Sequence, residues 1–405
     1  MVSDGFRLVA RTGHPSFLDL PWHLPLEEWK SERLVNLIRG ISRHVVRFVE
    51  YDGMLYALKE LPERPARREY TLLRRLEDEG LPVVEPVGLV TGRGGDLDAV
   101  LITRHLEYSL PYRSLFAGRA IPDLRTHLLN ALVELMARLH LRGFFWGDCS
   151  LSNTLFRRDA GALSAYMVDA ETGELHGALS DGQRAYDLDI AQQNIVGELL
   201  DVESEVGLPT GLDPDETGED VVRRYQALWS ELTHTETFAA DERYKVDERL
   251  RRLNDLGFDV DEIQLEATGD GYRLQLDPHV VEPGHHRHRL LRLTGLDAQE
   301  NQARRMLNDL ARYKEALERR EGRVLSDGVV ASRWRDEVFE PTIAEVPEEL
   351  WGALPAAEVF HQVLEHRWYL SECAGKDVGI DKAVRSYVES ELPRRPQERV
   401  VLEET

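Results

Sequence analysis

The sequence predicts an α+β protein in two lobes, extended by a mainly helical α+β C-terminal domain. Three observations carry this. Two β-branched or apolar runs between Val45 and Leu61 flank Asp52-Gly53, a dipeptide that favours hairpin turns needing positive φ. From Asp123 to Leu141, Leu124, Leu128, Leu132, Leu135, Met136 and Leu139 recur at helical spacing. Beyond about Phe238, helical stretches dominate, with one hairpin signal at Thr268-Gly269-Asp270-Gly271.

The elements follow in order. Residues 1–39, with Pro15, Pro21 and Pro25, read as an N-terminal arm with a short helix from Leu26. Val45 to Val49 and Leu55 to Leu61 are strands, and the Pro62 to Pro65 segment is expected to break the sheet. Arg67 to Glu79 is a helix closed by Gly80. Val83 to Val90 and Ala99 to His105 are strands around the glycine-rich loop 91–98. After the long helix at 123–141, helices are expected at Tyr186 to Leu200 and Val221 to Leu232, joined by a loop over 207–218. The first domain spans 40–235 and the second 236–392. The second holds helices at 241–256, 297–321, 356–372 and 380–392, an irregular segment at 323–350, and a mobile tail at 393–405.

The chain has 405 residues, 42% hydrophobic and 30% charged, which describes a soluble protein of two or three domains. No apolar run approaches a membrane span, and Met1 to Gly5 has neither a basic nor an apolar signal region, so a cytoplasmic location is expected. Two cysteines, Cys149 and Cys373, give no disulfide framework. A net charge of −23 argues against nonspecific nucleic-acid binding, which needs a basic face.

The most informative stretch is Phe144 to Leu155. An apolar lead-in delivers Gly147-Asp148, Asn153 follows five residues later, and an apolar strand resumes. Tyr166-Met167-Val168-Asp169 then ends a second apolar run on an acid. Upstream stand Leu58-Lys59 at a strand end and Glu69 at the start of the next helix.

Those residues in that order resemble the kinase-like fold of aminoglycoside and choline phosphotransferases and lipopolysaccharide-core kinases, over roughly residues 40–235. Leu139-His140-Leu141-Arg142-Gly143 is similar to the family's lead-in, and Asp187 resembles its later structural aspartate. The resemblance implies ATP- and magnesium-dependent phosphoryl transfer to a hydroxyl of a small molecule or sugar. It implies Asp148 as base or orienter, Asn153 and Asp169 as metal ligands, and Lys59 with Glu69 as phosphate clamp. Ser42 and Arg43 would serve the nucleotide from the turn before Val45. The chemistry agrees: phosphoryl transfer gathers charge on oxygens, so catalysis is positioning plus cations.

Three departures are visible. Trp146 replaces the family's histidine, Asp169-Ala170-Glu171 replaces the usual acid-aromatic pair, and the first loop has only Gly40. The glycine-poor loop and Trp146 favour an alternative of another class: a catalytically weak or inactive regulatory protein that senses a nucleotide or cyclic dinucleotide. Trp146 and Cys149 are expected in the core. The C-terminal part is similar to an uncharacterised bacterial domain found after kinase-like regions, which implies no function. Its unusual segment holds His285, His286, Arg287, Arg289 and Arg292. This cluster reads either as an anion site, since arginines offer forked donors, or as a basic helix face paired with the chain's own acids.

Overall fold

The computed structural model describes residues 5–36, 44–112, 115, 124–208, 212–233, 236–239, 258–260, 264–268, 271–275 and 281–395. Ser42, Arg43, the helix expected at 241–256 and the tail from 396 lie outside the described residues. Contacts divide the chain into two units: Met1–Phe156 with Ala165–Gln226, and Arg157–Ser164 with Ala227–Glu403.

The first unit opens with an antiparallel sheet of six strands. These are β1 (Arg7–Ala10), β2 (Leu34–Val35), β3 (Val45–Tyr51), β4 (Met54–Leu61), β5 (Pro86–Thr91) and β6 (Ala99–Arg104), ordered β1-β5-β6-β4-β3-β2. The β3–β4 hairpin turns at Asp52-Gly53, both at positive φ, as the dipeptide requires. The segment expected as an arm contributes the edge strand β1, and its Phe17, Leu20, Trp22, Leu26 and Trp29 are buried against Tyr56, Leu58, Val100 and Ile102 of the sheet. Proline-rich spacing hid this burial, because these apolar residues follow neither a strand nor a helix period.

Helix α1 (Glu63–Asp78) begins one turn earlier than expected. Pro62 is its N-cap and Pro65 lies in its first turn, where backbone N–H groups have no intrahelical partner and a proline costs nothing. Its buried face is Ala66, Glu69, Leu73 and Leu76, so a carboxylate sits inside an apolar stripe. Period-two alternation puts Tyr56 and Leu58 of β4 in the core on one face and sends Lys59 to the other, where it meets Glu69 of α1.

The second lobe of this unit centres on α2 (Leu124–Leu141), most of whose residues are buried, with Asn130 exposed. Along the chain come β7 (Leu110–Pro111), β8 (Phe144–Phe145), β9 (Thr154–Asp159) and β10 (Ala162–Met167), whose connecting stretch Arg157–Ser164 belongs to the second unit, and β11 (Glu174–Leu175). Helices α3 (Asp181–Val206) and α4 (Pro214–Thr233) follow. Both exceed the expected spans. Ser180 and Gln183 form a reciprocal capping box that starts α3, and Gly218, assigned to a loop from sequence, lies inside α4.

The second unit contains short strands at 236–239, 258–260, 264–268, 271–275 and 281–283, with 264–268 and 271–275 paired as the expected hairpin. Helices α5 (His285–Thr294), α6 (Glu300–Glu321), α7 (Asp327–Trp334), α8 (Glu340–Ala344), α9 (Ala356–Ala374) and α10 (Ile380–Ser390) follow. The segment expected to be irregular at 323–350 is largely helical. A π-turn at Arg335–Phe339 joins α7 to α8 ahead of Pro341, relieving the clash a proline makes with the preceding turn. Trp334, Phe339 and Phe360 pack at the centre of this core. Asp159, within this unit, caps α6 by accepting the N–H groups of Asn301 at 3.1 Å and Gln302 at 2.8 Å. Among the described residues no helix is long and apolar enough to cross a membrane.

Candidate active site

Gly143 closes α2 at φ +71°, and a Cβ there would stand 2.3 Å from the His176 carbonyl oxygen, so only glycine fits. The chain then enters the loop through β8. Gly147, at φ +73°, turns it towards Asp148.

Asp187 of α3 organises the entry to this loop. It is fully buried and accepts N–H groups from Trp146 at 2.7 Å and Gly147 at 2.8 Å. His140 Nε2 stands 3.0 Å from the same carboxylate, and His140 Nδ1 is 2.6 Å from the Tyr225 hydroxyl. Burial holds the His140 imidazole below its usual range, with Asp187 opposing. A neutral ring that donates to Asp187 and accepts from Tyr225 satisfies every partner.

Asn153 Nδ2 donates to the Asp148 carbonyl at 3.0 Å and to Asp148 Oδ2 at 3.1 Å. The backbone of Asn153 accepts an N–H from Val168 at 3.0 Å, which sets it beside the residue preceding Asp169. Trp146 Nε1 donates to the Asp169 carbonyl at 2.9 Å. Trp146 is fully buried, a core residue that ties the two acidic segments together. Cys149 is fully buried as well, and burial pushes its thiol up, out of the nucleophile's range.

Lys59 Nζ lies 3.0 Å from Glu69 Oε2, 2.6 Å from Asp169 Oδ2 and 3.7 Å from Glu171 Oε2. His44 Nε2 is 2.8 Å from that same Glu171 oxygen. Burial pushes Asp169 up, but the Lys59 charge and hydrogen bond and the Glu171 N–H outweigh it and hold its carboxyl below the usual carboxylate range. Burial lowers Lys59, yet Glu69 and Asp169 prevail and keep it charged. Glu69 is pushed up to about 8, by burial first and by the Asp169 charge next.

The structure thus brings Lys59, Glu69 and Asp169 into direct contact, and Asp148 and Asn153 into another, with Trp146 and Val168 bridging the two groups. Sequence reasoning missed Asn194 and Glu198, which grip the loop from α3. Asn153 and Asp169 offer an amide and a carboxylate, hard oxygen donors that fit magnesium. Magnesium takes one or two carboxylates and completes its shell with phosphates and water. Among the described residues no group of three or more His, Cys, Asp or Glu side chains forms a self-sufficient metal site.

In the second unit the Arg/His cluster lies on α5. Glu300 occupies the start of this helix. It accepts the N–H of His286 at 2.8 Å and of Arg287 at 3.1 Å and stands 2.7 Å from His286 Nδ1. Arg287 pairs with Asp297 at 2.7 Å, and His285 packs edge-on against His286. Arg289 and Arg292 are on the same helix.

A sheet-rich lobe with one inward lysine–glutamate pair, joined to a helical lobe that carries the Asp148–Asn153 loop, defines a kinase-like fold. Residues 51–195 match the model of the lipopolysaccharide kinase (Kdo/WaaP) family, and residues 227–392 match DUF4032, a domain of unknown function. The first match makes kinase-type phosphoryl transfer the class of chemistry to which this region is related. A solved structure titled "WaaP in complex with acyl carrier protein" is similar at 18% identity over 62% of this chain and 99% of that chain, with a TM-score of 0.37. No curated protein matches the chain.

Proposed function

We infer that the region over 40–235 is an ATP- and magnesium-dependent phosphotransferase acting on a hydroxyl of a small molecule or sugar, with a second domain over 236–392. The observation that carries this reading is the three-way contact of Lys59 with Glu69 and Asp169. A lysine held charged between a buried glutamate and an ionised aspartate is a cation prepared for phosphates.

Lys59 would neutralise nucleotide phosphates, with Glu69 fixing its direction. Asn153 and Asp169 would hold magnesium, which would supply positive charge to offset that of the phosphates. Asp148 orients the acceptor hydroxyl and receives its proton as the acceptor oxygen bonds to the γ-phosphorus and the bond to ADP breaks. The cluster on α5 is better read as a basic helix face paired with the chain's own acids, because Glu300 already takes the helix N–H groups an anion would use and Arg287 pairs with Asp297.

The test is calorimetry of ATP with and without magnesium, followed by ADP release in the presence of sugar, aminoglycoside and choline acceptors. Magnesium-dependent binding together with acceptor-stimulated ADP release supports the reading. Failure to bind ATP in either condition overturns it.

A further inference from the structure

Asp148 is held by two amides that reach it from different elements. Asn153, inside the loop, bonds Oδ2 at 3.1 Å. Asn194, from the middle of α3, bonds Oδ1 at 3.2 Å and the Cys149 carbonyl at 3.1 Å. Glu198, one helical turn further on, accepts the N–H of Leu151 at 2.6 Å and of Ser152 at 2.9 Å. Positions four apart lie on one helical face, so a single face of α3 seizes the loop at its carboxylate and at the backbone just beyond.

The two grips differ in chemistry. Glu198 satisfies backbone donors, a fastening role that any rigid loop needs. Burial pushes its carboxyl up, and the Ser152 and Leu151 hydrogen bonds oppose this. Asn194 acts on the side chain that the proposed reaction uses. The terminal torsion of an aspartate is broad and roughly two-fold, so one donor leaves the carboxylate plane soft. Donors on both oxygens fix that plane. An amide N–H can only donate, and a carboxylate offers about four acceptor sites, so this arrangement orients Asp148 without removing its ability to accept.

We propose that Asn194 is a positioning residue that sets the carboxylate plane of Asp148 towards the acceptor hydroxyl. The inference rests on the phosphotransferase reading above. A merely structural Asn194, present only to satisfy the Cys149 carbonyl, would affect stability alone.

The experiment measures ADP release from magnesium-ATP, with water as the acceptor, by the full-length chain. Five proteins are compared: wild type, Asn194→Ala, Asn194→Asp, Asp148→Asn and the double variant Asp148→Asn/Asn194→Ala. Asn194→Asp keeps the shape but replaces the donor with a like charge. Each runs well below its own melting temperature, with the fold checked by circular dichroism. Misplacing a reacting group by about 1 Å can cost on the order of 10²-fold in rate. Asn194→Ala should therefore lower kcat about 10- to 100-fold with little change in KM for magnesium-ATP, and Asn194→Asp should lower it at least as far. In the Asp148→Asn background the alanine change should cost no further rate, because residues that act as a unit are not additive. A wild-type kcat in both folded Asn194 variants overturns the proposal, as does an equal loss in both backgrounds. If wild type releases no ADP with water or with the sugar, aminoglycoside and choline acceptors, or Asp148→Asn keeps the wild-type rate, the phosphotransferase reading itself fails and the role of Asn194 with it.

Discussion

Lys59 Nζ lies 3.0 Å from Oε2 of Glu69, and that glutamate is fully buried in the apolar stripe of α1. Burial, with the Asp169 charge adding and Lys59 opposing, pushes its carboxyl up from 4.5 to about 8. Between those values the folded chain binds a proton that the unfolded chain has lost, so stability falls as pH rises through this window. The contribution is complete below the unfolded value and gone above the folded one. Urea melts across the window should show this slope, and Glu69→Gln should flatten it by on the order of 1–3 kcal/mol. Lys59→Ala should extend the slope to higher pH, since the opposing charge is gone, and should weaken magnesium-ATP binding. A wild-type profile as flat as that of Glu69→Gln would refute the buried-acid account.

Asp148→Asn should lower phosphoryl transfer by on the order of 10²–10⁴, with nucleotide affinity nearly unchanged. The amide keeps the shape between Asn153 and Asn194 but cannot take the proton. Initial rates and calorimetry on the same preparations check this, and a parallel loss of ATP affinity would point to a binding role instead.

ATP should bind more tightly with magnesium present, and Asp169→Ala should erase most of that difference. The Asp169 carboxyl is held ionised by Lys59 and the Glu171 N–H, so it is available to a cation at neutral pH. Titration with magnesium at fixed ATP measures the effect. Equal affinities with and without the metal in wild type would remove the metal assignment.

Asp187→Ala should unfold the loop that carries Asp148. It strands the buried N–H groups of Trp146 and Gly147 and the His140 ring, and each buried group left unpaired costs about 1–3 kcal/mol. Thermal melting should show a large drop, with activity lost as a consequence. A shift of only a degree or two would mean that the loop is held elsewhere.

Replacing Arg287, Arg289 and Arg292 together by Gln should change stability by no more than about 1 kcal/mol, since the Arg287–Asp297 pair is largely exposed. With Glu300 already at the start of α5, phosphate and nucleotide affinities should stay at wild-type values. A marked, salt-sensitive loss of phosphate binding in the triple variant would instead establish an anion site there.

Local chemistry makes much of this protein legible in its amino-acid order alone. The Asp148–Asn153 spacing, the strand-end Lys59, the helical Glu69 and the acid at Asp169 each sit where a short segment dictates. The β3–β4 turn follows from Asp52-Gly53, and α2 from its leucine period. Turns, periods and caps act over a few residues, so a single sequence displays them directly.

Tertiary structure decided what depends on distant partners. Whether Glu69 belongs to the surface or to the core turned on β4 bringing Lys59 beneath α1. That Asp187 would hold the loop entry, and Asn194 and Glu198 the loop itself, has no local signature, because those partners lie 40 to 47 residues apart. The burial of Phe17, Trp22 and Trp29 likewise depended on a sheet completed far downstream. A hydrogen bond or an apolar contact is specified by where two groups meet in space, and over such separations only the folded chain determines that meeting.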